Sequence, residues 1–117
     1  MKEPPRQSDL DLLVPYVKDR VEIIFAAMKA RGFDPVAFET LRTLDRQKYL
    51  YAIGRTIQKT RKPVTWTLHS NHFAGKAVDV ISKHRGWNWP AFFAALKEEA
   101  AKVGMHTLDV EACHIQW

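Results

Sequence analysis

The sequence predicts an α+β fold, a small antiparallel sheet with helices packed on it, in a single domain spanning residues 1–117. Three observations carry that expectation. Helical apolar stripes alternate with short β-branched runs, in the order helix, strand, helix, strand, helix, strand, strand. The chain has 117 residues, 46% of them hydrophobic, which is enough for one core and too little for two. No internal repeat, low-complexity tract or linker divides it, so no second module is expected.

The elements follow in chain order. From Pro15, the segment YVKDRVEIIFAAMKARG sets Val17, Val21, Ile24 and Met28 three or four apart, which lays one apolar stripe along a helix. Pro15 suits its first turn and Gly32 its stop. FDPVAFETLRT brings aromatic and β-branched residues together after a proline and predicts a strand near Val36 to Leu41. DRQKYLYAIG reads as a short helix ending at Gly54, and the polar, basic RTIQKTRKPVTWTLHSN as a long loop. KAVDVIS alternates as a strand does. After the turn-like KHRGWNW, the segment PAFFAALKEEAAKVG carries Phe93, Leu96, Ala100 and Val103 as a helical stripe closed by Gly104. MHTLDV and HIQW read as two short final strands.

Composition narrows the function classes. Lys and Arg number 18 against 13 Asp and Glu, a formal charge of +5 that favours polyanions, whether nucleic acid or the anionic polymers of a bacterial wall. The single cysteine, Cys113, excludes an internal disulfide framework and a Cys-rich zinc knuckle. No stretch is long enough to span a membrane, so membrane insertion is not expected. The start, MKEPPRQSDLDLLVP, lacks the charged head and unbroken apolar run of a signal peptide, and synthesis in a cytoplasm is expected.

Of the histidines at 69, 72, 84, 106 and 114, His72 stands in a suggestive relation to Asp79. Seven residues along a helix would part them by roughly 10 Å, whereas two ligands of one zinc lie within about 4 Å of each other. The chain between them must therefore curl back. Gly75 has the backbone freedom for such a reversal, after which a strand would present Asp79 on the same face as Ala77 and Ile81. Catalytic zinc commonly holds three protein ligands and keeps one position open. His114 is the best third ligand, and Glu111, three residues before it, is placed to serve as a base that takes a proton from water and returns it to a leaving amine. His69, His84 and His106 lack partners at ligand spacing. Cys113 adjoins His114 but reads as a small hydrophobe.

Ser70-Asn71-His72-Phe73-Ala74-Gly75-Lys76-Ala77-Val78-Asp79 fits the Ser-x-His-x-x-Gly-x-Ala-x-Asp signature of the M15 family of zinc peptidases. That family includes the D-Ala-D-Ala carboxypeptidases and dipeptidases of the VanY type and the L-alanyl-D-glutamate endopeptidases of many phage endolysins. Upstream, Arg42-Thr43, Gln47, Leu50-Tyr51 and Gly54-Arg55-Thr56 resemble a second block of the family, and Glu111-Ala112-Cys113-His114 resembles its carboxylate-x-x-His element. The resemblance covers roughly Phe33 to Trp117. It implies the hedgehog/DD-peptidase fold and one Zn2+ per chain held by His72, Asp79 and His114. Glu111 would be the base and Arg42 the stabiliser of the oxyanion, with Ser70 and Gln47 at the substrate. Trp66, beside the signature, joins them as a candidate contact for a sugar-peptide substrate.

The phrase VTWTLHSNHFAGKAVDV most resembles the endolysin branch. This implies an L-alanyl-D-glutamate endopeptidase serving as a phage or prophage endolysin, monomeric, without a separate cell-wall-binding domain, and reaching its peptidoglycan substrate through lysis or a separate export route. Glu111 stands where that branch usually has Asp, and Gln116 where it has an acid. Glu at the base position is common among the D-Ala-D-Ala enzymes, which keeps a D-Ala-D-Ala carboxypeptidase or dipeptidase as the alternative. From another class, net charge and the run His69-Ser70-Asn71-His72 suggest a small basic metal-dependent nucleic-acid-binding protein or nuclease. Nothing resembles an aromatic platform for stacking bases, so no specific nucleic acid partner is expected.

Overall fold

Proline pre-sets the backbone angle of a first helical turn, and Pro15 opens α1 (Pro15–Ala30). The buried residues of α1 are those that the spacing demands, Val17, Val21, Ile24 and Met28. A second helix, α2 (Leu44–Ala52), is capped by Thr43, whose Oγ1 accepts from the Arg46 backbone N–H at 3.2 Å. A third, α3 (Pro90–Lys102), again starts on proline. The computed structural model describes residues 3–58, 75–108 and 111–117, with Glu111 described in its backbone alone. The expected long loop therefore lies mostly outside the described residues.

Four strands form one antiparallel sheet: β1 (Pro35–Glu39), β2 (Ala77–Ser82), β3 (His106–Leu108) and β4 (Glu111–Gln116), in the order β1-β2-β4-β3. This is the α+β architecture expected. Three boundaries and one helix face differ from expectation, the first being that β4 begins at Glu111, three residues before the expected HIQW. Strand β1 stops at Glu39 rather than Leu41, because the Thr40 N–H turns away to the Gln7 carbonyl at 2.8 Å. Helix α2 stops at Ala52, and Gly54 follows in a turn at φ +80°. In α3 the buried face is Phe92, Ala95, Leu96 and Ala100, with Phe93 and Val103 packed at its rim. Phe92 takes the interior place because its ring meets Phe33 edge-on at 5.9 Å.

Alternation then sorts the sheet into two faces. Val78 and Val80 of β2 and Ile115 of β4 join α1 and α3 in the hydrophobic core. Asp79, with Ala77 and Ile81, points the other way. One irregularity decides what else shares that second face. Ala37 pairs with Val80 but Glu39 pairs with Asp79, so Phe38 is an extra residue in β1. Without this bulge Glu39 would sit opposite Val78 and aim at the core; with it, Glu39 lies in one row with Asp79 and His114. Bulges beside functional sites commonly re-aim a side chain in this way.

At the far end of β2, Asp34 ties the following turn. Ser82 Oγ donates to its Oδ1 at 2.6 Å, while the His84 backbone N–H and Nδ1 lie 3.0 and 2.7 Å from its Oδ2. These bonds, that of the Ser82 hydroxyl foremost, hold the Asp34 carboxyl at about 2, well below its ordinary range. His84 thus has a structural partner that its spacing did not suggest. None of the described helices is long and apolar enough to cross a membrane.

Candidate metal centre

Asp79 and His114 are direct partners across β2 and β4. Side chains opposite one another in such a pair stand within reach, and here His114 Nδ1 lies 3.3 Å from Asp79 Oδ1. Two donors each about 2.0 Å from a tetrahedral zinc lie roughly 3.3 Å apart. The separation of the two side chains fits two ligands on one ion, and both donor types suit zinc. Both groups are sheltered, at 4% side-chain exposure for His114 and 13% for Asp79. Among the described residues no set of three His, Cys, Asp or Glu donors converges. His72, the remaining expected ligand, lies outside those residues, as do Ser70 and Trp66.

Gly75 begins the approach to Asp79 at φ +66°, a conformation that glycine adopts without strain. Its space is tight: a Cβ there would lie 2.9 Å from the Leu12 carbonyl oxygen. The Gly75 carbonyl accepts from the Val14 N–H at 3.0 Å, which fastens the start of β2 to the entry of α1. Cys113, next to His114 on β4, is half-buried.

Arg42 closes the other side of Asp79. Its Nη2 lies 3.5 Å from Asp79 Oδ2 and donates at 2.7 Å to Glu39 Oε1, and its Nη1 donates at 2.7 Å to Gln47 Oε1. Its Nε is buried without a hydrogen-bond partner among the described residues. Glu39 is almost fully buried, and its second oxygen takes Arg46 Nε. Arg46 reaches on to the Pro4 carbonyl at 3.1 Å, which ties the N-terminal segment to the cluster. Gln47, expected at the substrate, is fully buried and has a task that the sequence did not suggest, holding Arg42. Glu39 was missed by motif reading. Its signal was an acid in a strand with arginines three and seven positions on, legible only once the Phe38 bulge is known.

A family model described as VanY, D-alanyl-D-alanine carboxypeptidase, matches residues 11–108. No curated protein sequence matches the chain significantly. Among solved structures, the chain is similar to a mutant of the vancomycin-resistance D,D-pentapeptidase VanY from a VanB-type cassette in complex with Zn(II), at 16% identity over 90% of this chain and 72% of that one, with a TM-score of 0.72. It is similar to the LD-carboxypeptidase LdcB at 21% identity, over 90% of this chain and 58% of that one, with a TM-score of 0.68. It is also similar to the L-Ala D-Glu endopeptidase ChiX of Serratia marcescens at 21% identity, over 92% and 81% of the two chains, with a TM-score of 0.61. At such identities the likeness is one of fold, and it includes the four-stranded sheet with its helices.

Proposed function

Because the chain belongs to the VanY family of D-alanyl-D-alanine carboxypeptidases, we propose that it is a zinc peptidase acting on peptidoglycan stem peptides, with the metal held by Asp79, His114 and His72. The observation that carries the assignment is the 3.3 Å approach of His114 Nδ1 to Asp79 Oδ1 from facing strand positions. Zinc held there would supply Lewis-acid chemistry to the hydrolysis.

The chain's own residues do the rest. Glu111 accepts the proton of the attacking water on a carboxylate oxygen and returns it to the nitrogen of the leaving amine. Arg42, fixed by Glu39 and Gln47, holds a guanidinium next to Asp79, and its buried Nε–H remains to meet charge that develops on the carbonyl oxygen. Fixing that cation beforehand spares its reorganisation during the reaction. Ser70 and Trp66 complete the substrate side of the reading.

For the bond cleaved, the signature VTWTLHSNHFAGKAVDV supports L-alanyl-D-glutamate endopeptidase activity in the manner of a phage endolysin, with a monomer reaching the wall through lysis or a separate export route. A second reading, D-Ala-D-Ala carboxypeptidase, is favoured by the family model's own description and by Glu111 in the base position. Digestion of purified peptidoglycan with mass spectrometry of the new termini separates them. New amino-terminal D-Glu supports the endopeptidase and released D-Ala the carboxypeptidase; no new terminus of either kind, with zinc bound, contradicts both.

A further inference from the structure

Two side chains stand in line behind His114: Gln116, at a position where the endolysin branch has an acid, and His106, which no motif marked. Gln116 follows it by two positions on β4, so the two project from the same face of the sheet. His106 of β3 lies opposite Gln116 in the strand register. His114 Nε2 is 2.9 Å from Gln116 Oε1, and Gln116 Nε2 is 3.0 Å from His106 Nε2. An amide oxygen only accepts and an amide nitrogen only donates. His114 Nε2 therefore carries a proton and donates it to Gln116, so that in the neutral ring the lone pair falls to Nδ1, the nitrogen turned to Asp79.

We propose that Gln116 and His106 are positioning residues that fix the tautomer of His114 and so make Nδ1 the metal donor. The inference rests on His114 being a ligand and goes one layer outward from it. A carboxylate, a common partner of metal-bound imidazole, accepts through either oxygen and needs nothing to orient it. An amide has direction. Turned over, Gln116 would donate to His114 Nε2, the ring proton would have to move to Nδ1, and the donor lone pair would be lost. His106 Nε2, accepting from the amide nitrogen, opposes that rotation. His106 is thus a member of the site despite standing far from any ligand in the sequence.

The test reads the ring itself. In metal-free, ring-15N-histidine-labelled protein, the nitrogen shifts of His114 should report the Nε2–H form, and zinc titration gives the dissociation constant of the same sample. Gln116→Leu should leave a mixture of tautomers and weaken zinc binding by about 10- to 100-fold, the usual effect of removing such an outer partner. Gln116→Glu, which accepts from His114 without needing His106, should keep the Nε2–H form and near wild-type zinc affinity. His106→Leu should give a smaller loss than Gln116→Leu, abolished in the Gln116→Glu background. If Gln116→Leu keeps both the Nε2–H ring and wild-type zinc affinity, the relay is refuted. Full zinc affinity in His114→Ala would instead refute the ligand assignment beneath it.

Discussion

The two faces of strand β2 are built on opposite rules. On one, Val78 and Val80 join Ile115, Phe92, Leu96 and the α1 stripe in a core whose contacts are non-directional and additive. On the other, one residue away along the same strand, Asp79 stands in a row with Glu39 and His114, three side chains held by charge and by hydrogen bonds of definite direction. Volume governs the first face. Atom position governs the second, where a side chain moved by an ångström loses its partner. The two should therefore fail differently when altered, the core by unfolding and the polar row by losing chemistry while the fold stands.

The largest expected effect lies at Glu111. Glu111→Gln keeps the size of the side chain but cannot accept a proton, so turnover on peptidoglycan should fall about a hundredfold to ten-thousandfold with zinc still bound. A variant that cleaves at the wild-type rate would move the search for the base elsewhere. On the core face, Phe92→Ala should cost about 3–5 kcal/mol in urea unfolding, while the folded fraction keeps its zinc and its specific activity. Equal loss of activity per folded molecule would break the separation of the faces.

Glu39→Gln sits between the two regimes. It leaves Arg42 and Arg46 without their buried carboxylate, and about 3 kcal/mol of stability should go with it. Unlike Phe92→Ala, it should also depress the activity of the molecules that remain folded, since Arg42 loses its anchor; unchanged specific activity would make Glu39 purely structural. The smallest effect is expected at Asp34. Its folded carboxyl titrates near 2, below the ordinary 3.8, so its stabilising bonds are fully present above about pH 4 and fade as pH falls toward about 2. Urea midpoints of wild type and Asp34→Asn should differ at pH 7 and converge in acid. A gap of constant size down to pH 2.5 would show that the charge is irrelevant.

The helices and strands were legible because each has a period that burial imposes. The α1 stripe, the alternation of KAVDVIS and the caps at Pro15 and Gly104 are all local patterns. Asp79 and His114 were singled out by spacing and resemblance as proposed ligands, and the sheet adds that they face one another across β2 and β4. Glu39 was not legible, since its orientation depends on an extra residue, Phe38, whose bulge arises only when β1 pairs with β2. Gln47 was marked by the motif as a position, and its bond to Arg42 was not legible, because a motif marks a position and not the atom that it touches. The Gln116–His106 pair was invisible for a similar reason: its members meet across strands, ten residues apart in sequence.

The central claim is that the polar face of β2 and β4 holds a metal through Asp79 and His114. Zinc content of the purified protein, measured by mass spectrometry alongside Asp79→Ala and His114→Ala variants whose folding is verified by circular dichroism, tests it most directly. The account predicts about one zinc per wild-type chain and loss of tight zinc from both variants; both variants keeping wild-type occupancy while folded would contradict it.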